Sequence, residues 1–265
     1  QVWDINSMYP HKMKCRYLPV GEPIFFTGKP QPTKYQCYIC RILVSFEIKK
    51  GFLPTIQLKN SFLFNPTDYI ESSKGQEVEM ILTNIDMKLL FKHYNVTSIT
   101  YLDGYYFRKV TGIFAEHIDT NMKIKETSTG GRRYVAKLRM NTVYGRTATS
   151  PRKKQKIPYL EDGVLKFKFS EENIEESQYT ALGVFITSWA RHDIITDAQN
   201  NYENFIYCDT DSLHMLANED GTDPNLPIHP THLGYYKLEH NCTRGLYLRS
   251  KTYVEEYDDG QIEIK

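Results

Sequence analysis

The sequence predicts an α+β fold, on three observations. Residues 205–216 are the strongest strand candidate, an apolar and aromatic run interrupted by Asp209-Thr210-Asp211-Ser212. Residues 113–126 and 132–147 each carry the helical apolar spacing and are separated by Gly130-Gly131, which gives a helical hairpin. Twenty Tyr and thirteen Phe suit pleated strands, and 265 residues with 40% hydrophobic and 25% charged side chains can form one large domain or two small ones.

The remaining elements follow in order. Residues 1–6 read as a strand ending at a polar turn, and 7–14 open a helix. Residues 19–32 carry four Pro and two Gly and read as a connecting loop. Residues 35–48 alternate as a strand, with shorter strands at 51–64 and 77–82. Residues 84–94 have helical spacing, with Asn84 or Asp86 as candidate caps. Ser150-Pro151 stops the second helix of the hairpin. Alternation over 155–169 around Asp162-Gly163 signals a β-hairpin, and 179–200 form a long helix.

The net charge is only +1, but its distribution is uneven. Between residues 121 and 156 stand eleven Lys or Arg and one acid, Glu126. Such an excess is the footprint of a polyanion-binding surface, and the abundant aromatics, which stack on bases, lean the same way. No apolar run is long enough to span a membrane, and no basic, apolar leader precedes the first strand, so a cytoplasmic protein with no membrane partner is expected. The chain starts without Met on a buried strand, which suggests an excised fragment. Among five cysteines only Cys37 and Cys40 are close. Without a second pair they read as reduced thiols, and no metal site is assigned to them.

Asp209 and Asp211 stand two apart in a strand or tight hairpin, so their carboxylates converge. Adjacent carboxylates repel unless a cation neutralises them, and hard oxygen ligands suit magnesium. Alone, the pair reads more readily as a polar turn. Asp4 changes that reading: it closes the apolar Val2-Trp3-Asp4-Ile5 and brings a third acid from a separate strand. Phosphoryl transfer with two metal ions needs such a set, one ion lowering the pKa of an attacking 3′-hydroxyl and the other steadying the leaving pyrophosphate.

A second constellation lies on the hairpin's second helix. Arg133, Lys137, Asn141 and Tyr144 fall within an arc of about 80° at 100° per residue. Two cations, an amide and a ring in line can hold a triphosphate at one end and a sugar and base at the other. Lys125 on the preceding helix can close over the same ligand. Leu138, Met140 and Val143 supply the apolar positions of this helix.

Together these segments resemble the family B DNA polymerases, specifically the protein-primed group of bacteriophages and linear plasmids. Asp4-Ile-Asn-Ser7-Met-Tyr9-Pro10 is similar to the group's first polymerase motif, Asp-x-x-Ser-Leu-Tyr-Pro. The run from Lys137 to Gly145 resembles the second, Lys-x-x-x-Asn-Ser-x-Tyr-Gly, with Thr142 for Ser. Tyr207-Cys-Asp209-Thr-Asp211-Ser212 matches the third, Lys251-Thr-Tyr253 the Lys-x-Tyr motif, and Thr187-Ser-Trp-Ala-Arg191 the Thr-x-x-Ala-Arg motif. Five motifs in the family's order are far more specific than any one of them.

The resemblance implies a right-hand polymerase palm, an antiparallel sheet with helices, carrying helical-hairpin fingers and two inserted subdomains. It implies that Asp4 and Asp211 ligate two Mg2+ ions (or Mn2+), with the Ile5 carbonyl and Asp209 in support. Tyr9 would lie under the incoming sugar and select dNTP over NTP. Lys125, Arg133 (Lys is usual there) and Lys137 would hold the triphosphate, and Asn141 and Tyr144 the nascent base pair. Ser7, Thr187, Arg191, Lys251 and Tyr253 would contact primer-template DNA.

By the same resemblance the palm comprises 1–14 and 181–265, the latter running into the start of a thumb. A first insertion that docks a priming (terminal) protein spans 15–111, fingers 112–148, and a β-hairpin insertion 149–180. The stretch from Gly51 to Lys59 resembles the first insertion closely. The family's exonuclease domain and most or all of the thumb would be absent, so no exonuclease activity is expected. Other readings are a truncated module that binds primer-template or a partner with little catalysis, and a metal-dependent nuclease, which leaves the stripe from Lys137 to Tyr144 unexplained. A reverse transcriptase would carry Tyr-x-Asp-Asp instead.

Overall fold

β1 (Val2–Ile5) sorts its side chains by simple alternation: Trp3 and Ile5 enter the core, while Val2 and Asp4 border a cleft. α1 (Met8–Cys15) follows through Ser7, whose left-handed backbone (φ 53°) turns the chain sharply from strand to helix. The computed structural model describes residues 1–57, 69–175 and 178–265. The expected strands at 51–64 and the motif from Gly51 to Lys59 therefore lie partly outside the described residues.

The next segment departs from expectation. Instead of a loop at 19–32, β2 (Tyr17–Thr27) forms an edge strand. Its prolines fit because an edge leaves one row of N–H groups unneeded, and a register shift between Val20 and Ile24 absorbs Gly21 and Pro23. β3 (Gln36–Ile48) is as expected; β4 (Ile56–Gln57) and β5 (Tyr69–Ile70) pair as a short ribbon, and β6 (Val78–Thr83) leads into α2 (Asn84–His93). The cap of α2 is Thr83 and not Asn84 or Asp86: its hydroxyl oxygen accepts from the Asp86 amide at 3.1 Å and its hydroxyl donates to the Asp86 carboxylate at 2.8 Å.

Sequence periodicity assigns nothing to residues 95–111, yet β7 (Tyr94–Thr111) is the longest strand and the second sheet is ordered β2-β7-β3-β6. Gly104 makes the close pairing possible at its centre, since a Cβ there would lie 2.2 Å from the Ile39 carbonyl oxygen. α3 (Ala115–Thr127) and α4 (Gly130–Ala148) form the expected helical hairpin. The break falls at Ser128-Thr129, and Gly130-Gly131 belong to the first turn of α4. Leu138, expected on the apolar face, is half exposed; Ala136 and Met140 are the buried side chains.

Beyond α4, β8 (Arg152–Lys153), β9 (Lys156–Glu161), β10 (Val164–Phe169) and β11 (Asn173–Ile174) make two exposed ribbons, with the β9–β10 turn at Asp162-Gly163. α5 (Thr180–Asn200) is the central helix. It packs on β12 (Phe205–Asp209), β13 (Ser212–Met215) and β14 (Tyr236–His240), which with β1 make a four-stranded antiparallel sheet in the order β12-β13-β1-β14. β15 (Cys242–Arg249), β16 (Thr252–Tyr257) and β17 (Ile262–Ile264) form a further antiparallel sheet.

Three apolar clusters hold these layers. One joins Trp3, Ile5, Leu213, Met215 and Tyr236 of the first sheet to Ala190, Ile194 and Ala198 of α5. A second gathers α1, α3, α4 and α5 around Met13, Ile118, Met140 and Phe185. A third packs Met87 and Leu90 of α2 on Ile42, Val44 and Phe46 of β3. The expected α+β fold is observed, with antiparallel pairing throughout the named sheets. No helix of the described residues is long and apolar enough to cross a membrane.

Candidate active site

The two carboxylates of the Asp-x-Asp segment converge through a turn, not through strand alternation. Asp209 ends β12 and pairs with Ser212 at the start of β13, leaving Thr210-Asp211 as a two-residue loop. Thr210 takes a positive φ of 54°, the conformation such tight hairpins require at the first loop position. The Asp211 amide donates to the Asp209 carbonyl at 2.6 Å, and the Ile5 amide donates to the Asp211 carbonyl at 2.8 Å. That second bond clips the hairpin tip onto the end of β1, beside Asp4.

Asp4, Asp209 and Asp211 line one cleft of about 480 Å³ with Ser212, Glu239 and Lys251. Burial, and next the charge of Asp211, push the Asp4 carboxyl up to about 6, with Lys237 pulling it back. Burial also raises Asp211, and Asp209 adds to it. Two half-buried acids that resist joint ionisation form a donor set that a divalent cation would relieve, and their hard oxygens fit Mg2+. The Lys251 ammonium donates to Asp209 at 2.6 Å, so Asp209 is partly neutralised by the protein itself.

Lys237 and Glu239 were not legible as site residues. They alternate with Tyr236 and Leu238 on β14, and sequence periodicity assigned no strand there. Register pairs Asp4 with Lys237, whose Nζ lies 4.0 Å from the carboxylate and which is also ion-paired to Glu239.

The rings of Tyr9 and Tyr144 stack with centroids 4.1 Å apart and planes 12° from parallel, within the field of Asp211. The hydroxyls of Tyr144 and Thr187 lie 3.3 Å apart. Burial, then the neighbouring Tyr144, holds the Tyr9 phenol protonated far above its ordinary range. The structure thus brings a residue of the first motif against one of the second.

Several cations share the field of these acids. Lys125 donates to the Ser7 hydroxyl at 2.8 Å, and Arg133 donates to the Lys125 carbonyl at 2.7 Å. Burial first, then Arg133, Lys137 and Lys237, lowers the Lys125 ammonium, so the four charges share one field. Lys137 acts in turn on Asp4 and Asp211. Lys137 and Asn141 are exposed on α4, one helical turn apart.

Two expected DNA contacts are engaged within the protein. Both Nε and Nη2 of Arg191 donate to the same oxygen of Asp86, at 3.0 and 2.7 Å. Tyr253 is buried among Tyr207, His214 and Tyr247 at the cleft wall. Lys251, by contrast, is 69% exposed at the cleft mouth.

The chain thus joins an antiparallel sheet bearing paired acids to a helical hairpin whose cations share one field with them. The profile of the family described as DNA polymerase type B, organellar and viral, matches residues 1–225, and the chain belongs to that family. The DNA polymerase of Bacillus phage B103 is 42% identical over 266 residues, covering 100% of this chain and 46% of the relative. That of Bacillus phage phi29 gives the same values, and that of Streptococcus phage Cp-1 is 37% identical over 99% of this chain and 47% of the relative. Phi29 DNA polymerase complexed with primer-template DNA and incoming nucleotide substrates superposes with a TM-score of 0.89 at 39% identity, covering 100% of this chain and 49% of that one. The chain therefore spans about half the length of the curated relatives it matches.

Proposed function

We propose that this chain carries the polymerising centre of a template-directed DNA polymerase, transferring dNMP from a dNTP to a primer 3′-hydroxyl or to the hydroxyl of a priming protein. The observation that carries the reading is the meeting of Asp4 and Asp211, from separate segments, in one electrostatic field with Lys137 and the stacked Tyr9. The likeness to a polymerase solved with primer-template DNA and nucleotides supports it.

Asp4 and Asp211 would hold two Mg2+ ions, or Mn2+ in their place, with the Ile5 carbonyl and Asp209 in support. When bound, such ions supply Lewis-acid stabilisation of charge at the attacking and leaving oxygens. The rest falls to the chain. Lys137, Arg133 and Lys125 attract and orient the triphosphate, and their grouped charge offsets that of the departing pyrophosphate. Tyr9, braced by Tyr144, offers a flat face under the sugar that leaves no room for a 2′-hydroxyl. Asn141 and Tyr144 border the nascent base pair.

Lys251, exposed where it lines the cleft, is a cation available to a primer phosphate, and its bond to Asp209 couples that contact to the carboxylates. Ser7 fixes Lys125 at the sugar's edge, whereas Thr187, Arg191 and Tyr253 shape the primer side by holding its neighbours in place. In this reading residues 1–14 and 181–265 form the palm, the latter running into the start of a thumb, residues 112–148 form the fingers, and residues 15–111 and 149–180 form the two insertions, the first facing a priming protein.

Primer extension on a short primed template with Mg2+ tests this. Incorporation that vanishes in Asp211→Ala supports it; tight primer-template binding with no incorporation by the native chain sinks it. Degradation of a 3′-labelled strand that is lost in the Asp4→Ala, Asp211→Ala double variant would identify a nuclease instead.

A further inference from the structure

Along the cleft that holds Asp4, Asp209 and Asp211, where the first sheet meets the β15–β17 sheet, lies a second set of metal-ligating side chains. One ring nitrogen of His240, the Cys242 thiol sulfur and a carboxylate oxygen of Glu255 all lie within 4.8 Å of one another. They come from three places: the end of β14, the start of β15 and the middle of β16. Glu255 is 1% exposed, so its charge demands partners.

Those partners divide its two oxygens. The Tyr247 hydroxyl donates to Oε1 at 2.6 Å, and His214 Nδ1 donates to the same atom at 2.7 Å. Oε2 is turned the other way, 3.5 Å from His240 Nε2. That separation is long for a charge-assisted hydrogen bond. It matches the edge of a tetrahedral zinc site, where ligands 2.0 to 2.3 Å from the metal stand about 3.3 to 3.7 Å apart. Tyr257 packs on the His240 ring at 4.1 Å and restrains its orientation.

We propose that His240, Cys242 and Glu255 bind one Zn2+ ion, with a fourth position open to water, and that the ion staples the β15–β17 sheet to the sheet bearing the catalytic acids. Nitrogen, sulfur and oxygen donors together select a borderline-soft ion over Mg2+, so this site differs in chemistry from the all-oxygen set at Asp4 and Asp211. Tyr247 and His214 act as orienting groups that present Oε2 to the metal. The ion would lie on the wall of the cleft lined by Asp4, Asp209 and Asp211, since His240 and Glu255 line it too. The inference does not depend on the polymerase reading.

Zinc titration of the 265-residue chain against a chromophoric chelator, with Co2+ as spectroscopic probe, tests it. With excess Mg2+ present to fill the Asp4–Asp211 cleft, one Zn2+ per chain is expected to bind tightly, with a thiolate-to-cobalt charge-transfer band that Cys242→Ser abolishes. His240→Ala should weaken binding by roughly 100-fold or more, and Tyr247→Phe, which removes only an orienting bond, by roughly 10-fold. Asp4→Asn and Asp211→Asn should leave zinc affinity unchanged. Cobalt binding to the native chain without a charge-transfer band would overturn the proposal. So would binding that survives Cys242→Ser but is lost in the Asp211→Asn variant.

Discussion

Arg191 offers the sharpest test of how the site is supported. Its guanidinium makes two bonds to one oxygen of Asp86, and the other oxygen accepts from Ser188 and Thr83 at 2.8 Å each. Asp86 thus ties α2 to α5. Breaking a buried pair costs about 3–5 kcal/mol, and an exposed one contributes less than about 1 kcal/mol. With Asp86 at 11% and Arg191 at 40% exposure, the pair sits between these limits. Arg191→Ala should therefore cost about 2 kcal/mol. Asp86→Ala also strands the fully buried Ser188 hydroxyl and should cost about 1–2 kcal/mol more. In a double-mutant cycle followed by urea unfolding, the coupling between the two should be about 2 kcal/mol. Primer-template affinity, measured where every variant is folded, should change less than about threefold in Arg191→Ala, an effect under 1 kcal/mol. A coupling below about 0.5 kcal/mol, joined to a large loss of DNA affinity, would refute the structural role and return Arg191 to the primer.

Three further outcomes are expected. Tyr9→Val removes a ring stack and opens the space under the sugar, so the preference for dNTP over NTP should fall about 10-fold or more in competing incorporation; an unchanged ratio removes the gate role. Gly234 adopts a φ of +81°, and a Cβ there would lie 2.4 Å from the His11 ring, so Gly234→Ala should lower stability by about 2 kcal/mol or more in thermal melts. Burial alone would raise the Asp193 carboxyl, but His192, Lys12 and Arg16 outweigh it and hold it far below the ordinary carboxylate range. A depressed folded-state pKa contributes stability above the unfolded value near 4, and that stability is lost as pH falls further. Asp193→Asn should accordingly flatten the acid limb of the stability profile, and an unaltered limb would contradict the pairing.

How much was legible in the sequence followed the range of the forces involved. Local signals worked: the hairpin at Asp162-Gly163, the helices flanking Ser128-Thr129, and the Asp-Thr-Asp turn are set by residues near in sequence. Edge position is not a local property, so the prolines of β2 read as a loop until pairing with β7 gave them a place. β7 itself lacks clean alternation because register shifts opposite Arg41 and Ser45 interrupt its phase. At the site, residue types and spacing pointed to Asp4, Asp211 and the α4 stripe. Nothing in spacing could show that Arg191 would be taken by Asp86, or that Lys237 would sit across from Asp4, because both depend on which strands and helices become neighbours.

Single-turnover incorporation of one dNMP by this chain, compared with Asp4→Asn, Asp211→Asn and the double variant, tests most directly whether Asp4 and Asp211 act as one centre. Residues that work as a unit are not additive, so each single change should cost about 10³-fold or more and the double variant little beyond the worse single. Retention of activity within about tenfold in either single variant, or losses that simply multiply in the double, would contradict a shared catalytic centre at these two carboxylates.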